Sequence, residues 1–287
     1  MRSTTKRWLT GVTLVATLTL GLTAPAQAAS GGLNDFACRP SAAHPEPVVL
    51  LHGLGATFYE DLNFLQGDLA NRGYCTFSTT YGAYPNFPFV GGLKAIADSS
   101  LEVKNFVEKV RAATGAAKVD VAGHSEGAFL SLYLAKLAGI QLEIGKVVAL
   151  APPTHGTTLA GLLSLALKVV GRDTFERIAR AIGLPVGADL VEGGPAVVAL
   201  STGPVARPGI DYTIITSRSD ELVTPTETSF VREPGVKNQY VQDLCPKDSV
   251  GHIGEAYDLN VWYMIRKALD PEHTGPLPFC APAGAPL

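Results

Sequence analysis

Ser125 stands at the centre of Gly123-His124-Ser125-Glu126-Gly127, in the spacing Gly-x-Ser-x-Gly. Lys118-Val119-Asp120-Val121-Ala122 before it alternates like a strand, and the apolar, turn-free run Ala128–Ala135 after it reads as a buried helix. A serine on a sharp strand-to-helix turn presents its hydroxyl at the mouth of a site, and the two glycines permit the tight turn and the close helix–strand approach. Such a hydroxyl can attack a carbonyl carbon, provided a base takes its proton and an acid fixes that base's tautomer.

In this setting the chain order is serine, then Asp or Glu, then His. Of six histidines, His44, His52 and His124 precede the serine. His155 comes before any later strand-end acid, and His273 lies beside the tail. His252 follows the last expected strand in the glycine-flanked loop Ser249–Gly254 and is the best base. Asp220 follows the strand before it and is the expected acid, with Glu221 its close rival; Asp243 and Asp248 belong to the histidine's own strand and loop. The oxyanion formed by attack needs preset donors, supplied by the backbone N–H groups of Glu126 and Leu54, with His52-Gly53 shaping the second loop.

These residues must be held by a sheet. Pro47–Leu51 is a continuous apolar run, as a buried parallel strand would be. Further strands are expected at 74–81, 118–122, 145–150, 210–216 and 236–243. Helices are expected at 61–72, 93–113, after the serine, and at 254–268. Alternating strands and helices define an α/β fold with a mostly parallel sheet of about six strands flanked by helices. Between Pro153 and Gly209 the rhythm breaks. Apolar positions in 157–170, and Phe175, Ile178, Ala179 and Ile182, fall at helical spacing, so 154–209 reads as a helical cap or lid inserted over an apolar pocket. Tyr84, Phe87 and Phe89 are candidate pocket aromatics.

The start of the chain reads as an export signal. Arg2, Lys6 and Arg7 precede apolar Trp8–Leu22, and Ala26-Gln27-Ala28 offers a cleavage site, leaving a domain of residues 29–287 with a tail from 275. The 23 Lys+Arg less those three leave 20 against 26 Asp+Glu, and no dense basic run remains. That excludes nucleic acid as a favoured partner. Four cysteines in an exported chain imply two disulfides; of three connectivities, Cys38–Cys75 and Cys245–Cys280 are favoured, the second stapling the tail. No dense carboxylate loop of the calcium-binding kind is present, and no metal is expected.

Pro47–Gly53, Gly73–Cys75, Ala113–Ala116, Gly123–Gly127, Pro152–Gly156 and Asp243–Pro246 together resemble the secreted actinomycete-type triacylglycerol lipases and esterases of the α/β-hydrolase superfamily, over residues 36–270. The resemblance implies carboxylic-ester hydrolysis without an organic cofactor. It puts nucleophile, acid and base on Ser125, Asp220 and His252 and the oxyanion donors on Leu54 and Glu126, and supports both disulfides. Related elbows carry Gln or Met after the serine and a second Gly; here Glu126 and Ala128 stand there. An ionised Glu126 would put a negative charge near the oxyanion.

The expectation is therefore a secreted, monomeric serine ester hydrolase acting on ester or lipid substrate, with no stable membrane span after cleavage. The rivals are acyl transfer to an envelope lipid or sugar by the same residues, and a non-catalytic binding protein on this fold.

Overall fold

The computed structural model describes residues 33–158, 170–278 and Cys280. Six parallel strands form one sheet: β1 (Val48–Leu51), β2 (Thr76–Ser78), β3 (Val119–His124), β4 (Ile144–Leu150), β5 (Asp211–Thr216) and β6 (Val236–Tyr240). Their order is β2-β1-β3-β4-β5-β6. The chain leaves β1 to build β2 on one side, then returns to build β3 on the other. The carboxyl ends of β1 and β3 thus flank a topological switch point, where open α/β sheets bind ligands.

The apolar run of β1 is continuous because both faces are covered. Val49 and Leu51 pack with Phe77, Val121, Val147 and Ile214 on one face, while Val48 and Leu50 pack with Ala122, Val148 and Ile215 on the other. Helices α1 (Asn63–Asn71), α2 (Ile96–Thr114) and α3 (Glu126–Leu137) follow β1, β2 and β3 in turn. Leu65 and Leu69 of α1, with Val261, Met264 and Ile265 of the C-terminal helix Leu259–Leu269, cover the second face. Val103, Val107 and Val110 of α2 and Phe129, Leu130, Leu132 and Leu134 of α3 cover the first. Helix α3 is buried on nearly every side, and each such large apolar side chain is worth about 1.5–3 kcal/mol of transfer free energy. Gly115, in the left-handed region at φ 74°, stops α2.

Three boundaries differ from the sequence reading. β2 covers Thr76–Ser78, not 74–81, because Tyr81 leaves the ladder: its N–H donates to His52 Nε2 (3.3 Å) and its hydroxyl to the His52 carbonyl (2.5 Å). β6 ends at Tyr240, whose N–H donates to the Asp243 carboxylate (2.9 Å), and Val241–Leu244 turns into a short helix. The helix expected at 254–268 is split into a 3₁₀ turn, Gly254–Ala256, and Leu259–Leu269. Asp258 caps the latter by accepting from the Asn260 and Val261 amides.

Between β4 and β5 lie helices Arg172–Ala181, Pro185–Asp189 and Pro195–Ser201. In the first only Ala179 is buried; Ile178 and Ile182 face outward. Most of the apolar stretch 157–170 lies outside the described residues, as do the export segment 1–28 and most of the tail. Disulfides join Cys38 to Cys75 and Cys245 to Cys280. Among the described residues, no helix is long and apolar enough to cross a membrane.

Candidate active site

Ser125 sits between β3 and α3 with φ 55° and ψ −117°, a backbone conformation unfavourable for a residue with a Cβ. The surrounding packing enforces it. A Cβ on Gly123 would collide with the Gly127 carbonyl, and one on Gly127 with the Leu51 carbonyl. The elbow glycines are therefore required by close approach of α3 to β3 and β1. The Ser125 N–H donates to the Leu150 carbonyl (2.8 Å), which ties the turn to β4.

Ser125, Asp220 and His252 come from three separate strand ends and meet. His252 Nδ1 lies 2.8 Å from Asp220 Oδ2, and its Nε2 lies 2.8 Å from Ser125 Oγ. A carboxylate only accepts, so Nδ1–H donates to Asp220 and Nε2 is left to accept from the serine hydroxyl. Asp220 is itself fixed: its Oδ1 accepts from the amides of Leu222 (2.8 Å) and Val223 (2.9 Å). Both Asp220 and His252 are buried.

The other candidates are engaged elsewhere. The Glu221 carboxylate accepts from the backbone N–H of His252 (3.2 Å) rather than meeting its ring. Asp243 pairs with Arg218, and Asp248 accepts from Val250 N–H and from the Asn260 amide. His155 Nδ1 donates to the Thr228 carbonyl, and His273 lies beside Tyr263.

Leu54 lines the same cavity as Ser125 and His252. Among the described residues neither the Leu54 nor the Glu126 amide is spent on a hydrogen bond, so both N–H groups are available as donors. His52 frames the Leu54 loop: Nδ1–H donates to the Gly53 carbonyl (2.8 Å), Nε2 accepts from Tyr81, and the ring stacks on Tyr81 with centroids 4.2 Å apart. Burial pushes the pKa of His52 down and keeps the ring neutral, as these bonds require.

The surroundings of Glu126 weigh against a negative charge there. Its carboxyl is fully buried, lies against Gly92, and has no hydrogen-bond partner among the described residues. Burial first, then the charge of Asp189, pushes its pKa well above the usual carboxylate range. Among the described residues no cation is paired with it to offset that desolvation, which favours the neutral carboxyl.

The cavity at Ser125 has a volume of about 250 Å³. Val186, Leu190, Leu222, Val223 and Ile253 give it an apolar wall. Val186 and Leu190 belong to the segment inserted after β4, at and beside the helix Pro185–Asp189, inside the expected insertion 154–209 but outside the apolar helical stripes read at 157–170 and 175–182. Tyr84, Phe87 and Phe89 do not line it, and Phe87 and Phe89 are exposed. Sequence reasoning also misses Asp61 and Glu255. Asp61 accepts from Gly53 N–H, and Glu255 accepts from Ser217 N–H (3.0 Å) just before the acid loop. Neither has a motif; a lone acid in a loop carries no local signal.

The fold is that of the α/β-hydrolases. It is similar to Aspergillus fumigatus lipase B with a TM-score of 0.62 at 18% identity, covering 83% of this chain and 56% of that one. It is also similar to mature Bacillus licheniformis lipase BlEst2, with a TM-score of 0.51 at 17% identity, covering 73% and 86% of the two chains. Residues 45–139 match the family model "Lipase (class 2)". The matched stretch runs from β1 through α3 and includes the turn at Ser125. A triacylglycerol lipase of Burkholderia plantarii is 29% identical over 153 residues, and one of Pseudarthrobacter phenanthrenivorans is 30% identical over 132 residues. These matches cover 52% and 44% of this chain, and 39% of the length of each relative.

Proposed function

We propose that this protein is a secreted serine carboxylic-ester hydrolase, a triacylglycerol lipase or esterase that acts through an acyl-enzyme on Ser125. The observation that carries the reading is the continuous line Ser125 Oγ–His252 Nε2 (2.8 Å) and His252 Nδ1–Asp220 Oδ2 (2.8 Å), opening on an apolar cavity. The class 2 lipase match and the two lipase relatives support the same chemistry.

In this reading Ser125 Oγ attacks the ester carbonyl carbon while its proton passes to His252 Nε2. Asp220 stabilises the imidazolium so formed. The carbonyl oxygen becomes an oxyanion and meets the Leu54 and Glu126 N–H groups. Collapse breaks the bond to the alcohol oxygen, and His252 returns the proton to that leaving group. Water, deprotonated by His252, then attacks the acyl-enzyme, and the acid leaves with Ser125 restored. The wall around Val186 and Leu190 suits the acyl chain of an apolar ester. Two disulfides suit an oxidising, extracellular setting.

The test is hydrolysis of soluble short-chain and emulsified long-chain esters, run beside Ser125→Ala. Long-chain activity lost in the variant supports a lipase; serine-dependent activity on short chains alone supports an esterase. Equal activity in wild type and variant refutes the assignment of Ser125. No ester hydrolysis by the wild type refutes the function.

A further inference from the structure

Behind the line of Ser125, His252 and Asp220 lies a second carboxylate–imidazole pair that no step of the proposed reaction uses. His124 Nδ1 is 2.8 Å from Asp61 Oδ1, and His124 Nε2 is 3.0 Å from the backbone carbonyl oxygen of His252. Asp61 Oδ2 accepts from Gly53 N–H at 2.5 Å. All of these side chains are buried, and the rings of His124 and His252 are 4.9 Å apart. Asp61 holds a left-handed backbone, φ 61°, and its own N–H donates to Tyr257 Oη at 3.0 Å. A non-glycine residue keeps such a conformation only where its surroundings over-determine it.

We propose that His124 is a doubly protonated imidazolium, ion-paired with Asp61, and that this pair positions the oxyanion loop and the base loop around Ser125. The positioning half rests on the reading of Ser125 as nucleophile; the charge state does not.

The geometry carries the argument. A carbonyl oxygen only accepts, so His124 Nε2 must bear hydrogen to bond His252. The proton on the other side then lies either on Nδ1 or on Asp61. Asp61 Oδ2 accepts from the Gly53 amide, and such a backbone donor favours the ionised carboxylate. Burial by itself would lower the pKa of His124, but the Asp61 charge and hydrogen bond, the His252 carbonyl and the Asp220 charge outweigh it and raise the value. Burial would raise that of Asp61, but the charge and hydrogen bond of His124 and the Gly53 amide outweigh it and lower the value.

The pair touches three parts of the site. Through Gly53 it fixes the loop that carries the Leu54 donor. Through its own place in the chain His124 fixes the elbow, and through the His252 carbonyl it fixes the base loop. A Cβ on Gly53 would meet Asp61 Oδ2 and Ser125 Cβ at 3.3 Å and His124 Nδ1 at 3.5 Å, so these groups converge on one glycine. Asp61 and His124 touch no reacting atom and are positioning residues.

Long-range ¹H–¹⁵N NMR of the labelled protein at pH 7.5 reads the charge state directly, with His124 assigned by loss of its signal in His124→Gln. Both ring nitrogens of His124 should carry hydrogen; an unprotonated Nδ1 overturns the ion pair. Kinetics on the Ser125-dependent ester activity read the positioning. Asp61→Ala should lower kcat about 100-fold with KM within about threefold, the size of loss that misplacement by an ångström produces. Asp61→Asn should recover kcat to within about tenfold, because its amide oxygen can accept from Gly53 and its NH₂ can donate to a neutral His124. A loss carried by KM, or an Asn variant as poor as Ala, overturns the positioning role. If Asp61→Ala does not fold, the Asn variant decides: a singly protonated His124 with near-normal kcat supports the inference, and kcat down 100-fold overturns it. A wild type that hydrolyses no ester counts against the proposed function, and the NMR result still judges the pair.

Discussion

The backbone N–H of His252 donates to Glu221 Oε2 at 3.2 Å, while the His252 ring faces the neighbouring Asp220. Two adjacent acids thus hold one histidine, one by its main chain and one by its imidazole. Glu221 steadies the loop, and Asp220 sets the tautomer. Asp220→Asn should therefore lower kcat about 10⁴-fold, because an amide can donate to Nδ1 and select the wrong tautomer. Glu221→Gln keeps an acceptor for the His252 amide and should stay within about tenfold of wild type. Steady-state kinetics on one soluble ester decide it, and equal losses in the two variants would refute the division of roles.

Glu126 gives a pH dependence of stability. In the unfolded chain its carboxyl ionises near 4.5; in the folded protein burial and then Asp189 raise that value well above. Between the two values the folded state holds a proton that the unfolded state has released. The contribution is fully present below the unfolded value and is lost as pH rises toward the folded one. Glu126→Gln removes this dependence. From pH 5 upward its unfolding free energy should gain on wild type by up to about 1.4 kcal/mol per pH unit. Urea melts at pH 5, 6, 7 and 8 check this; parallel curves would show Glu126 to be ionised in the fold. Activity should change little, since the proposed mechanism uses only the backbone N–H of residue 126.

Val186 is fully buried and forms part of the cavity wall. Val186→Trp puts a large ring into a space of about 250 Å³. The ratio of kcat/KM for long-chain over short-chain esters should fall at least about tenfold, since apolar subsites discriminate by about 1–3 kcal/mol. An unchanged ratio would place the acyl chain elsewhere.

Cys38 and Cys75 close a loop with a sequence separation of 37 and tie the N-terminal arm to β2. The chain-entropy relation gives about 4 kcal/mol for a loop of that length. The double variant Cys38→Ser/Cys75→Ser should lose stability on that scale and keep its kcat, because the bridge lies outside the cavity lining. Denaturant midpoints together with kcat test both halves.

Much of this was legible along the chain, for local reasons. β1 and β3 show as apolar runs because both faces of their sheet are covered. The elbow shows because only glycine fits where α3 crosses β1 and β3. Serine, acid and base each follow a strand, and a parallel sheet sends all such ends to one edge. The ends of β2 and β6 were not legible, since Tyr81 bonds His52 and the Tyr240 amide turns to Asp243, partners that strand propensity does not encode.

The sequence by itself determined the layered α/β architecture, the elbow at Ser125 and the short choice of partner acids and histidines. Only the tertiary structure decided that Asp220 rather than Glu221 meets the imidazole, and that Glu126 is buried where its neutral form is favoured. It also decided that the cavity wall comes from Val186 and Leu190, and that Asp61 reaches both His124 and Gly53. The physical reason is one of range. Periodicity and turn chemistry act over a few residues and are written in the local order of the chain. Burial, charge state and hydrogen-bond pairing depend on groups such as Asp61 and His124, or Asp220 and His252, that lie far apart along it and meet only when the sheet closes the distance.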